Sequence, residues 1–285
     1  ELRPDIEIGG LSLCLMGKKE TDTYINEVFD YINENNNGKI PFDSLTIHPY
    51  SSRDGKFVGD TVGHYIDVAA NKGYDKTTEV WCTEYGKMSG NNSIPEQFEQ
   101  AEYIIKAYAD MKSKRFEDDV YLYEFAQNGG TFGLVSNVNS KIPYSAKLSY
   151  IAVSALNNLT GDAKACVMTE NEFSKTYSFT GEKSTVNMVF PKGTERSDDE
   201  TDFIYYDIFG NEIDINTVHE YCLSQVPFYE VTGKTITTKE IETKTFDPNL
   251  HNAVMHIDDE SYGEGEIIEV FQKGYIYGER IIRYA

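Results

Sequence analysis

Basic residues are scarce in this 285-residue chain: 26 Lys and Arg stand against 47 Asp and Glu, a formal net charge of −21 at pH 7. Nucleic acids and anionic membranes are bound through a basic footprint, so this balance argues against both as partners. A neutral polyol such as a sugar is not repelled by it. Cysteine is sparse too. Cys14, Cys82, Cys166 and Cys222 lie far apart with no C-x-x-C pair, which gives neither metal-site spacing nor a disulfide framework. His64, His219, His251 and His256 show no ligand spacing and are assigned nothing; no metal or organic cofactor is expected. No apolar run approaches the ~20 residues of a transmembrane helix. No G-x-S-x-G elbow marks a nucleophilic serine. No signal peptide is recognisable, but the chain opens on "ELRPDIEIGG" without an initiator Met, so that absence carries no weight.

What is present is a core-forming composition, 40% hydrophobic, in a length suited to one large or two medium domains. The first half alternates short apolar strands with amphipathic helices. "DIEIGG" (5–10) reads as a strand closing on a glycine turn. "TDTYINEVFDYINEN" follows with Ile25, Val28, Phe29 and Ile32 at helical spacing and Thr21 or Asp22 as cap. "FDSLTIHPY" (42–50) is a strand stopped by Pro49, a weaker helix covers 60–72, and "EVWCTEYG" (79–86) is the next strand. Ser93-Ile94-Pro95-Glu96 is a capping box that opens a helix with Phe98, Ala101, Ile105 and Tyr108 on one stripe. A fourth strand, "DVYLYEFAQ" (119–127), precedes a helix with Tyr144, Leu148, Ile151 and Ala155 on one face. Strand ends recur at roughly forty-residue intervals, the repeat of strand–helix units in a parallel sheet.

After Gly161 the pattern changes to short β runs: "KTYSFTG", "STVNMVF", "FIYYDIFGNEIDI" and "QVPFYEV", with "FGNE" as a hairpin turn. Residues 1–162 are therefore expected to be a partial barrel, 163–232 a β-sandwich, and 233–285 a further β-rich segment, the start of another β module.

In barrels of parallel strands the active site gathers at the C-terminal strand ends. Side chains alternate across a strand. Leu45 and Ile47 thus face helices while Thr46, His48 and Tyr50 point inward, and Val80, Cys82 and Glu84 share a face. An isolated strand-end glutamate more often caps a helix or accepts from loop amides. With His-Pro-Tyr at the equivalent point of the preceding strand and aromatics on the next, a functional reading of Glu84 is favoured. Cys82 reads as a small core residue.

These residues resemble a family. "DSLTIHPYS", "EVWCTEYG", "VYLYEFAQNGG" and "FGLVSNVNSKIPYSAKLSYIAVSALNNLTGD" look like the C-terminal half of a clan A glycoside hydrolase. They are most similar to the β-xylosidase-like and related (β/α)8 enzymes that carry a β-sandwich. "RPDIEIGG", "IHPY", "TEYG" and "YLYEFAQ" are similar to barrel strands five to eight, and the resemblance covers about Glu1–Val231. It implies a retaining O-glycosyl hydrolase of β-linked oligosaccharides or polysaccharides, with Glu84 as nucleophile and with His48 and Tyr50 orienting it. Tyr123 stands where the family usually has a tryptophan platform, and Glu124 is an extra carboxylate expected to point away from Tyr123.

Retaining hydrolysis needs two carboxyl groups about 5–5.5 Å apart. The family's acid/base belongs to an Asn-Glu pair on strand four, and Asn26-Glu27, Asn171-Glu172 and Asn211-Glu212 fall elsewhere. A full barrel takes roughly 250 residues. The expectation is therefore a C-terminal part lacking the N-terminal half of its barrel, inactive alone. The alternative is a non-catalytic carbohydrate-binding or scaffold protein derived from a glycosidase. A metal-dependent hydrolase ranks well below both. Export to the periplasm or medium is favoured over the cytoplasm, from the substrate class.

Overall fold

The computed structural model describes residues 6–14, 18–50, 58–76, 78–115, 117–196 and 203–232, and shorter stretches of the C-terminal region: 238–240, 245–247, 261–263, 265–268, 275–277 and 280–283. It is a mixed α/β structure with a parallel and an antiparallel sheet, dividing into two units, Glu1–Gly233 and Lys234–Ala285.

Unit one begins with four strand–helix pairs: β1 (Gly9–Cys14), α1 (Lys18–Asn35), β2 (Ser44–His48), α2 (Val58–Ala70), β3 (Val80–Tyr85), α3 (Ile94–Lys114), β4 (Val120–Leu122) and α4 (Leu148–Thr160). The strands lie side by side in chain order, and every neighbouring pair is parallel. Leu45, Ile47, Val80 and Cys82 are buried in one apolar cluster with Ile25 and Phe29 of α1, residues of α2, and Ile104 and Met111 of α3. Burying such side chains contributes roughly 1.5–3 kcal/mol each, so this helix-facing layer is what the four units gain by adjoining.

Several details depart from the sequence reading. The first strand starts on its two glycines instead of ending there. A Cβ on Gly10 would collide with the Phe42 ring and one on Gly9 with the Thr46 methyl, so glycine is what lets β1 lie against β2. Beyond them β1 bulges: Leu11 and Ser12 take positive φ, and Thr46 Oγ1 accepts the Ser12 amide at 2.8 Å. In α1 the expected caps lie inside the helix. Thr21 is buried, and Asp22 pairs with His64 of α2 at 2.9 Å in a contact between helices. The last helix of the series buries Ala152, Ala155, Leu156 and Leu159, while Ile151 is exposed and Tyr144 precedes the helix in a left-handed conformation. The Ser93/Glu96 box opens α3, with Glu96 accepting from the Ser93 amide and hydroxyl.

The second part of unit one comprises β5 (Ala163–Glu170), β6 (Ser174–Gly181), β7 (Thr185–Pro191), β8 (Ile204–Asp207), β9 (Glu212–Ile213), α5 (Ile215–Ser224) and β10 (Phe228–Thr232). Among the described residues the strands form one antiparallel sheet in the order β5-β6-β7-β10-β8-β9, where the sequence reading has a two-sheet sandwich. Helix α5 was not foreseen, although Asp214 caps it by accepting from the Thr217 amide and Val218 and Cys222 fall on one buried face. The sheet is tied to the helices. Its β8–β9 turn, built on Asp207 Oδ1 accepting from the amides of Phe209 and Asn211, sets the Phe209 ring edge-on to Phe98 of α3.

In unit two, β11 (Thr238–Glu240), β12 (Tyr275–Tyr277) and β13 (Arg280–Arg283) form a three-stranded antiparallel sheet, and a separate bridge joins Thr245 to Glu266. His251 and His256 lie outside the described residues. Among those described, no helix is long and apolar enough to cross a membrane.

Candidate active site

The C-terminal ends of β2 and β3 bring Glu84, His48 and Tyr50 together. The Tyr50 hydroxyl donates to Glu84 Oε2, and His48 Nδ1 lies 3.7 Å from the same oxygen. The other imidazole nitrogen, Nε2, is 2.8 Å from Thr83 Oγ1. One histidine thus touches two consecutive residues of β3, which strict alternation forbids.

The reason is a bulge. Cys82 pairs with Val120 and Tyr85 with Leu122, so β3 carries one residue more than β4 across this interval. An inserted residue re-aims the side chains that follow it. Cys82 and Tyr85 both sit in the apolar cluster on the helix side, while Thr83 and Glu84 both face His48. The expected common face of Cys82 and Glu84 is therefore corrected. Burial pushes the Cys82 thiol up to about 12, which keeps it protonated at neutral pH.

Tyr123, just past β4, completes the rim. Its ring centroid is 6.0 Å from that of Tyr50, edge to face, and its amide donates to the Tyr85 carbonyl at 2.8 Å. A Cβ on Gly86 would strike the Tyr123 carbonyl, so glycine after "TEY" is required for this approach. The Tyr123–Glu124 peptide is cis, and Glu124 Oε1 accepts the Asn128 amide, a loop contact away from the Glu84 cluster.

Two residues of the site escaped sequence reasoning. Phe132 places its ring 5.5 Å from Tyr50 and 5.6 Å from Tyr123, closing a three-ring aromatic cluster beside Glu84. Tyr103 of α3 donates its hydroxyl to the Tyr50 carbonyl at 2.8 Å. The glycine-flanked "GGTFG" was the available signal for Phe132; nothing in the period of α3 distinguishes Tyr103.

Electrostatically, the Tyr50 phenol is held well above its ordinary range, first by burial and then by its bond to Glu84. It remains a donor at any working pH. Among the described residues, the side chains touching the Glu84 carboxylate are thus a phenol and an imidazole, with no second carboxyl. The carboxylate itself is about one-third exposed. It lies at the C-terminal strand ends, whereas a hollow of about 580 Å³ lies on the helix side of the sheet, between α2 and α3.

Comparison with known proteins divides the chain. The GrpE family model matches residues 231–285, a stretch to which sequence reading assigned no family. Within it, 40 residues are 65% identical to Protein GrpE of Clostridium acetobutylicum, covering 14% of this chain and 20% of that protein. The chain thus spans about a fifth of the length of the curated relative it matches. Solved structures similar to the chain include a GH30 endoxylanase from Clostridium papyrosolvens C71 and a glucosidase from Croceicoccus marinus. The first has a TM-score of 0.43 at 10% identity, covering 81% of this chain and 57% of that one. The second has a TM-score of 0.45 at 13% identity, covering 74% and 45%.

Proposed function

We propose that residues 1–232 carry the nucleophile side of a retaining O-glycosyl hydrolase acting on β-linked saccharides, and that residues 233–285 are a separate GrpE-like module on the same chain. The observation that carries the first part is the Glu84 carboxylate at a parallel-strand end, gripped by the Tyr50 phenol with His48 alongside. In retaining hydrolysis a carboxylate attacks the anomeric carbon. A hydrogen bond from a phenol that does not ionise holds the Glu84 carboxylate in place without protonating it. Tyr123 and Phe132 offer apolar ring surface to a sugar face. On this reading the four parallel units are half of a (β/α)8 barrel, the antiparallel sheet belongs to its accessory β module, and the acid/base carboxyl comes from outside the described residues. Export follows from the substrate class alone.

A second reading, a carbohydrate-binding or scaffold protein without turnover, is favoured by the lack, among the described residues, of a second carboxyl touching Glu84. One experiment separates the two. Activated 2,4-dinitrophenyl 2-deoxy-2-fluoro-β-glucoside and -xyloside need no acid to expel their leaving group, so a competent nucleophile is glycosylated and stays so. Mass spectrometry of the whole chain should show one sugar on Glu84, and none on the Glu84→Gln variant. Absence of the adduct with retained binding of β-linked oligosaccharides supports the second reading. Absence of both ends the glycoside assignment.

A further inference from the structure

Phe132 follows a glycine-rich turn, yet its ring is held against Tyr50 and Tyr123. What holds it is a buried cluster behind it. Gln100 of α3, fully buried, points Nε2 at three carbonyls: Lys87 at 2.7 Å, Phe132 at 2.8 Å and Thr131 at 3.1 Å. Its Oε1 accepts from the buried Ser149 hydroxyl at 3.1 Å, which fixes the amide's orientation. Lys147, 4% exposed, donates from Nζ to the Thr131 carbonyl at 2.9 Å and to Ser89 Oγ at 2.8 Å. The Ser89 amide donates to that same carbonyl at 3.2 Å. Three residues, from the β3–α3 loop, α3 and the start of α4, thus converge with four donor groups on the Thr131 carbonyl, and the next ring in the chain is Phe132.

We propose that Gln100, Lys147 and Ser89 are positioning residues: they clamp Thr131–Phe132 so that the Phe132 ring packs on Tyr50 and keeps the Tyr50 hydroxyl on Glu84. The clamp deepens the reading given above, but rests on it only for the chemical consequence. Buried carbonyls stripped of donors cost free energy and reopen the loop to water. Without the clamp the ring leaves, Tyr50 loses one of the three ring contacts that pin it, and the Glu84 oxygen is no longer oriented.

The test follows Tyr50 itself. In protein labelled with 13C at tyrosine Cζ, Tyr50 is identified by the signal missing from Tyr50→Phe, and its bond to Glu84 by the shift in Glu84→Gln. Gln100→Met and Lys147→Met should each move or broaden the Tyr50 signal toward the Glu84→Gln position and slow fluoroglycoside labelling by about tenfold to a hundredfold. Tyr177→Phe, a buried hydroxyl loss at the far end of α3, should change neither. If Gln100→Met does not fold, Lys147→Met and Phe132→Leu carry the same comparison. The clamp is refuted if the folded variants leave the Tyr50 signal in its wild-type place, or if Tyr177→Phe moves it equally. Should wild-type protein take no label at all, the glycosidase reading falls, and the Tyr50 signal still decides the clamp.

Discussion

Two buried polar clusters lie on one helix, about 15 Å apart along its axis, and they are made of different materials. Near the start of α3, Gln100 serves three carbonyls and Lys147 adds an ammonium whose side-chain partner is a hydroxyl. Near its end, Asp110 accepts from the Gly59 amide of α2 at 2.6 Å and the Tyr177 hydroxyl of β6 at 3.0 Å, with Lys175 Nζ 4.0 Å away. The first cluster joins loop to loop behind the candidate site. The second joins the helix layer to the antiparallel sheet. The difference teaches a division of labour: an amide and a buried ammonium hold the loop that carries Phe132, and an acid fastens the two parts of unit one.

The largest break is expected at the acid. Asp110→Ala removes the acceptor shared by an amide and a phenol and should cost about 3–5 kcal/mol in urea unfolding. The pH dependence has a definite sign. Burial raises the Asp110 carboxyl in the folded chain, against the lowering effect of its donors, so the folded state binds the proton more readily than the unfolded one. Its contribution is full below the ordinary carboxylate range and shrinks as pH rises through the raised value. The alanine variant should lose that limb of the profile while leaving the Tyr50 signal unchanged. A Tyr50 signal that moves in Asp110→Ala as it does in Gln100→Met would erase the contrast between the two ends.

Gln100→Met should cost less, about 2–3 kcal/mol, from several carbonyls left without a donor. Its effect on Tyr50 should nevertheless be the larger. If stability and Tyr50 geometry fall together in every variant of α3, the clusters are one structural core and the division fails.

Neither cluster was legible in the sequence, although the elements bearing them largely were. The helical stripe of α3, the capping box at Ser93 and the order of four strand–helix units follow from local spacing of apolar residues. Glu84, Tyr50 and His48 could be picked out because polar and aromatic groups at strand ends break an apolar pattern, whereas Tyr123 was singled out only by the family resemblance. Gln100 breaks nothing: a glutamine on a helix reads as solvent-facing until the loop after β4 covers it. Lys147 reads likewise as a surface cation before a helix. The β3 bulge was hidden for a related reason, since an extra residue is visible only against the partner strand. The stretch from 233 onward carried a β-rich composition but no periodicity that names a family, and the GrpE match rests on residue identities that such patterns do not encode.

Lys147 offers a smaller and more selective test. Burial lowers its ammonium from 10.5 to about 8. Between those values the unfolded chain binds more protons than the folded one, so stability should rise with pH across that interval by about 2 kcal/mol. Lys147→Met should flatten the rise. A rise that persists in the variant would assign it to another group and leave the mouth cluster without a titrating member.

The smallest effect belongs to Tyr177→Phe. Its ring sits edge-on to Phe190 at 5.9 Å and survives the substitution, so only the hydroxyl facing Asp110 is removed. The carboxylate keeps the Gly59 amide, and the expected loss is about 1 kcal/mol. Because the phenol's bond favours the ionised carboxyl, that loss should be larger when Asp110 is ionised and shrink as it protonates. A loss independent of pH would mean that the hydroxyl matters for packing alone, and that the helix layer and the sheet are held together by apolar contact without help from the acid.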